Sequence, residues 1–223
     1  MKKHTQERCY MCNDITTTKE HVPPESFFPV GHRENLITVP SCEKHNNKNS
    51  EDVEYVGFFI HSFINSNMVA GKQFPKVLRA FNRRPNLIDL VYGDQKTINL
   101  LNGTNLFTIA VDKPRFRKVI KAIAYGLYFH YFKKPYYGDF IVWATDLTGE
   151  IKSISEELEL LKIKSGFTQL NYTSLKMPHP SVFNCRIDQD NPENFIFEFQ
   201  FYESFQTHLI SLPFYQKWNK VKG

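Results

Sequence analysis

Three cysteines and a histidine stand near the start of the chain in two short pairs, Cys9-x2-Cys12 and Cys42-x2-His45. Two thiolates at this spacing can reach one metal ion from a single turn. A second pair from elsewhere completes the tetrahedral coordination that structural zinc prefers. Four protein ligands leave no open position, so an ion held here would brace the fold rather than bind substrate. Ordinary thiols are the alternative reading, yet three of the four cysteines fall at this spacing before Asn46. A disulfide framework fits less well, because no secretory apolar segment is visible and Cys185 stands alone far downstream. A reducing, cytoplasmic setting is therefore expected.

Between and beside the pairs lie groups with a different chemistry. The chain reads Thr18-Lys19-Glu20-His21-Val22-Pro23-Pro24, then Glu34-Asn35-Leu36-Ile37-Thr38, and the second pair runs directly into Asn46. Phosphodiester hydrolysis needs a deprotonated water in line with the leaving oxygen, and positive charge to neutralise the phosphorane. A histidine exchanges protons near neutral pH, and carboxylate and amide oxygens are hard ligands for Mg2+ or Mn2+. Taken singly, each residue has an ordinary reading. His21 could be a loop or core histidine, Glu20 a surface carboxylate, Asn35 a turn residue and Asn46 part of a solvated helix end.

In this order the motifs resemble the HNH endonuclease family in its zinc-knuckle form, the ββα-metal nucleases, over about residues 9–55. The resemblance implies that Cys9, Cys12, Cys42 and His45 hold a structural Zn2+. It makes His21 the general base, and Glu20 and Asn46 the ligands of a catalytic Mg2+ or Mn2+. Asn35 would bond the loop backbone around His21 and orient the imidazole. Glu20 stands where the family more often has Asp, and His45 where it more often has Cys. The expected substrate is DNA, cut to 5'-phosphate and 3'-hydroxyl ends. One site nicks one strand, so a double-strand break takes a homodimer, a partner protein or two events. A zinc-knuckle module that binds nucleic acid or protein without hydrolysis is the reading from another class. Restriction, defence, mobile-element and toxin roles all stay open.

Charge points to where a polyanion would rest. The 223 residues carry 28 Lys or Arg against 23 Asp or Glu. By segment the basic and acidic counts are 7 and 9 over 1–71, 13 and 3 over 72–134, and 8 and 11 over 135–223. The excess is confined to the middle, where Arg83, Arg84, Arg115, Arg117, Lys118 and Lys121 are candidate nucleic-acid contacts. The solvated faces of helices are the plainer reading of the same residues.

The elements that must position these groups follow from pattern. An α+β fold is expected: a ββα unit over 1–56, then an accessory domain of helices and antiparallel sheet over 57–223. One strand should lead to His21, another should lie near Leu36–Val39, and a helix should start near Cys42. Helical spacing recurs over 53–65, 75–82 and 114–132, the last with Pro114 in its first turn. Strands are expected at 87–92, 96–101, 105–111, 140–144, 166–172, 182–187, 195–202 and 208–212, and a short acidic helix at 155–164. No apolar run is long enough to cross a membrane.

Overall fold

A computed structural model describes residues 7–12, 14–47, 50–61, 66–83, 96–99, 105–108, 111–144 and 163–222. Over these residues the fold is α+β, with every strand pair antiparallel. No helix among them is long and apolar enough to cross a membrane.

The chain begins with a hairpin. β1 (Thr18–His21) pairs with β2 (Thr38–Ser41), placing Thr18 opposite Ser41 and His21 opposite Thr38. Pro40 has no N–H to give, and its carbonyl faces away from β1 to accept from the Tyr10 amide at 2.9 Å. The first cysteine pair thus hangs on the free edge of β2. A short helix, α1 (Glu43–Asn47), follows, and then α2 (Ser50–His61), whose first turn carries Glu51 and Asp52 where the helix dipole favours acids. Next come α3 (Met68–Gly71), capped by the Asn67 side chain, and α4 (Phe74–Arg83). β3 (Lys96–Asn99) and β4 (Asn105–Thr108) form a second hairpin. The strand expected at 87–92 lies outside the described residues.

α5 (Lys113–Phe132) starts where Asp112 accepts from the Arg115 amide at 3.1 Å and ends with Lys133 in a left-handed conformation at φ 55°. Pro114 sits in its first turn, as its missing N–H allows. The helix lies across a five-stranded sheet of order β5-β9-β8-β7-β6. Those strands are β5 (Phe140–Ala144), β6 (Thr173–Leu175), β7 (Phe183–Asn191), β8 (Asn194–Phe201) and β9 (Phe205–Ser211). Between β5 and β6 a helical segment, α6, covers 163–168, and α7 (Leu212–Lys222) closes the chain.

Two expectations for this half are corrected. Residues 166–172 are not a strand, because Ile163, Phe167 and Leu170 recur at helical spacing and pack on the outer face of the sheet beside Ile196 and Ile210. The pairing strand is the three-residue β6 that follows. α7 was not expected at all. Of the acidic helix expected at 155–164, only 163–164 are described, and they are helical.

Phe195, Phe197, Phe199 and Phe201 of β8 are all 1 % exposed or less and form the floor of the core. Phe59 of α2 and Phe116 of α5 meet Phe205 edge-on, with centroids 5.3 and 5.7 Å away. Fully burying an aromatic ring of this size is worth roughly 1.5–3 kcal/mol. The buried residues of the N-terminal hairpin, among them Tyr10, Val22 and Val39, join the same continuous cluster.

The long connection between β1 and β2, residues 22–37, is held by side chains from distant parts of the chain. The Phe27 carbonyl accepts from both the Tyr202 hydroxyl and His61 Nε2. Burial holds the His61 imidazole down at about 4. Ser26 C=O accepts from Lys76 Nζ at 2.9 Å, and Glu34 C=O from His179 Nε2 at 2.9 Å. Tyr202 lies in the tight β8–β9 turn, where it and Glu203 adopt positive φ of 49° and 61°.

Helix and hairpin meet at a glycine. A Cβ on Gly126 would lie 2.5 Å from Val22 Cγ2, so only glycine lets α5 approach the end of β1 this closely. Gly126→Val should therefore lower unfolding stability by about 1–3 kcal/mol through overpacking. Denaturant titration of both proteins measures this, and unchanged stability would show that α5 and Val22 are not in contact.

Candidate metal centre and adjoining residues

The two cysteine–cysteine and cysteine–histidine pairs converge. The first pair turns between the Arg8–Ile15 bridge and the edge of β2, and the second is the entry to α1. The three sulfurs and one ring nitrogen lie within 4.8 Å of one another. His45 Nδ1 is 3.4 Å from Cys9 Sγ, 3.5 Å from Cys12 Sγ and 3.3 Å from Cys42 Sγ. Cys12 Sγ and Cys42 Sγ are 3.8 Å apart. Zinc–ligand bonds of usual length at tetrahedral angles give edges of about 3.8 Å between sulfurs and about 3.5 Å between sulfur and nitrogen. These four of the six edges match that figure, so Cys9, Cys12, Cys42 and His45 could hold a metal ion such as zinc.

The thiols are unbridged, and 3.8 Å is far beyond a disulfide bond of about 2.05 Å. Burial works to raise the Cys9 thiol, but amide N–H groups of Met11, Cys42 and Cys12 point at its sulfur and bring it below its ordinary value. Amides aimed at a sulfur stabilise the thiolate, the form a metal takes. Cys12 behaves oppositely, pushed up to about 12 by burial first. Burial, with Lys44 nearby, lowers His45 and favours the neutral imidazole that ligates metals.

The sequence-derived site residues lie next to this cluster. Glu20 is on β1, its carboxyl raised above the ordinary value by burial, although hydrogen bonds from Tyr10 and Ser41 oppose the shift. Tyr10 Oη donates to Glu20 Oε2 at 2.9 Å and Ser41 Oγ donates to the same oxygen at 3.4 Å. Among the described residues Oε1 has no partner. His21 ends β1 with its side chain 41 % exposed, and Nδ1 is 3.9 Å from Glu25 Oε2. Asn46 is brought back onto β1: its Nδ2 donates to Thr18 Oγ1 at 2.8 Å. The Thr18 hydroxyl gives its own proton to Ser41 C=O, so it must accept from Asn46. That fixes the amide with nitrogen inward and leaves Oδ1 without a partner among the described residues.

Asn35 stands apart. It is exposed, turns the chain at φ 57°, and its side chain makes no hydrogen bond among the described residues. The neighbouring connection is closed instead by the Val22 amide on Ile37 C=O at 2.9 Å. Tyr10, Ser41, Thr18 and Glu25 are the contacts that sequence reasoning missed. Only Tyr10 carried a signal, an aromatic residue inside the first pair.

The basic candidates are scattered and mostly engaged. Arg115 lies 3.3 Å from Asp112 and 3.6 Å from Asp52, Lys118 2.7 Å from Asp52, and Lys121 2.6 Å from Asp139. Arg117 is exposed on α5, and exposed Arg83 donates to the Arg79 carbonyl. Arg84 lies outside the described residues.

Purified protein should contain one zinc per chain by elemental analysis, and Cys42→Ser should lose it. Strong chelation should lower the melting temperature of the wild type but not of that variant. Full stability without metal would reduce the cluster to a set of packed thiols. No protein-family model, curated protein or solved structure matches the chain.

Proposed function

We propose that the protein is a divalent-metal-dependent endonuclease of the HNH type that nicks DNA, with His21 as general base. The observation that carries this reading is that Glu20 Oε1 and Asn46 Oδ1 are both without a partner among the described residues, while Tyr10 holds the other Glu20 oxygen and Thr18 of the same strand holds the Asn46 nitrogen. Both belong to residues whose other polar atoms are tied down, so the oxygens are pre-oriented. The chemistry of this donor set suits a hard cation such as Mg2+ or Mn2+, which would supply positive charge to the phosphate and its leaving oxygen.

The chain's own residues do the rest. Tyr10 and Ser41 hold the Glu20 carboxylate through one oxygen and leave the other for binding. Thr18 does the same for the Asn46 amide. His21, exposed at the end of β1, takes a proton from the attacking water, with Glu25 Oε2 3.9 Å from its Nδ1 to orient the ring. A single site of this kind cuts one strand.

The expected DNA surface lies on α5. Its ion pairs are exposed contacts of the kind worth about 0–1 kcal/mol, so a phosphate can displace Asp52 or Asp139 from its lysine at little cost. Among the described residues Arg117 has no ion pair to exchange.

Supercoiled plasmid with Mg2+ or Mn2+ tests the chemistry. Wild-type protein should nick it, and His21→Ala should slow nicking by roughly 10²–10⁴-fold with zinc content unchanged. Nicking that survives His21→Ala would sink the assignment of the base, and none from zinc-loaded wild type would favour a binding module. Separately, Arg117→Glu should weaken DNA binding and reduce the slope of log affinity against log salt by about one. An unchanged slope would remove α5 from the interface.

A further inference from the structure

The outer face of the sheet carries a second polar cluster, remote in sequence from the hairpin. Strand register places Ser174, Arg186, Glu198, His208 and Trp143 in one row across β6, β7, β8, β9 and β5. Glu198 sits between two bases. Arg186 Nε donates to its Oε1 at 2.8 Å, and His208 Nε2 approaches its Oε2 at 3.4 Å without hydrogen-bond geometry. Burial works to raise the Glu198 carboxyl, but His208 and Arg186 overcome it and hold it below the ordinary value. Two aromatic rings cover the row. Phe167 of α6 lies flat on His208, with centroids 3.9 Å apart and planes 8° from parallel, and Tyr172 lies 4.9 Å from the Arg186 guanidinium.

These residues line a cavity of about 630 Å³, with Lys164 at its rim. That is within the usual range for small-molecule sites, roughly 300–1,000 Å³. Its lining is incompletely satisfied. Seven buried side-chain polar atoms among the described residues lack a hydrogen-bond partner, and three of them belong here: Tyr172 Oη and both ring nitrogens of His208. His208 is only 3 % exposed, and its Nε2 is turned to Glu198 Oε2. Buried polar groups are normally paired, so the floor of this cavity is polar and under-satisfied where an ordinary sheet face would be apolar.

The chemistry of the lining selects the ligand. Cations dominate: the Lys164 ammonium and the Arg186 Nη1 edge that Glu198 leaves free. The one carboxylate is already neutralised by Arg186. An arginine held from behind by a carboxylate and from above by an aromatic ring presents a rigid edge to an oxyanion. Two cations, Arg186 and Lys164, line the cavity and its one carboxylate is already paired, a balance that suits a doubly charged phosphate better than a singly charged carboxylate.

We infer that this cavity binds a small organic phosphate of mononucleotide size, with the phosphate on Arg186 and Lys164 and the remainder against Tyr172 and His208. The site is independent of the proposed nuclease chemistry and would give the sheet half of the chain a ligand of its own.

Isothermal titration of the full chain without added Mg2+ tests this, using AMP, GMP, CMP, UMP, inorganic phosphate, adenosine and citrate as probes. At least one mononucleotide should bind saturably, with adenosine, inorganic phosphate and citrate each weaker by about tenfold or more. Lys164→Ala, at the exposed rim, should keep the wild-type melting temperature and weaken that binding by about tenfold or more. Arg186→Lys should weaken it as well. Absence of saturable binding by all four mononucleotides would overturn the inference, as would citrate or inorganic phosphate binding equally well. Mononucleotide binding that both substitutions leave unchanged would place it at another site and overturn it too.

Discussion

The closeness of four ligand atoms drawn from both ends of a thirty-odd-residue span is the constraint on which the N-terminal half depends. Residues 7–47 hold two four-residue strands and one short helix, too little apolar surface to fix a fold alone. Bringing Cys9 and Cys12 against Cys42 and His45 closes that span. The same closure puts Tyr10 beneath Glu20 and the Asn46 amide on Thr18. The second polar layer is thus a by-product of the first.

The rest of the chain supports this half from outside. Carbonyls of Ser26, Phe27 and Glu34, spread along the connection between β1 and β2, each accept from a side chain placed far away in sequence. Irregular backbone is usually the mobile part of a site. Here it is pinned at three points, two of them by residues of the sheet region, and Val22 is seated in the space that Gly126 leaves.

How much was legible in the sequence depends on whether the signal was local. The cysteine pairs, the strand ending at His21 and the helix through 113–132 depend on spacing and period, and all are where those patterns put them. The strand expected at 166–172 is absent because the apolar residues there are few enough to suit either period, and packing on the sheet carries the helix begun at 163 on to 168. The row through Arg186, Glu198 and His208 could not be read at all. Its members become neighbours only through strand register, which no local pattern encodes. The charge excess of the middle segment was visible, but not that Asp52, Asp112 and Asp139 would lie against three of its cations.

The use of Nδ1 by His45 has an electrostatic consequence. Nδ1 is bonded directly to the ring carbon next to Cβ, so it sits only about one bond farther from the backbone than a cysteine sulfur would. Histidine can therefore replace cysteine at this position with little shift of α1. Three thiolates and a neutral imidazole around a divalent cation sum to a single negative charge, where four thiolates would sum to two. Asn46 follows His45 directly, so a metal centre of this composition would set beside the Asn46 oxygen half the net negative charge that four thiolates would.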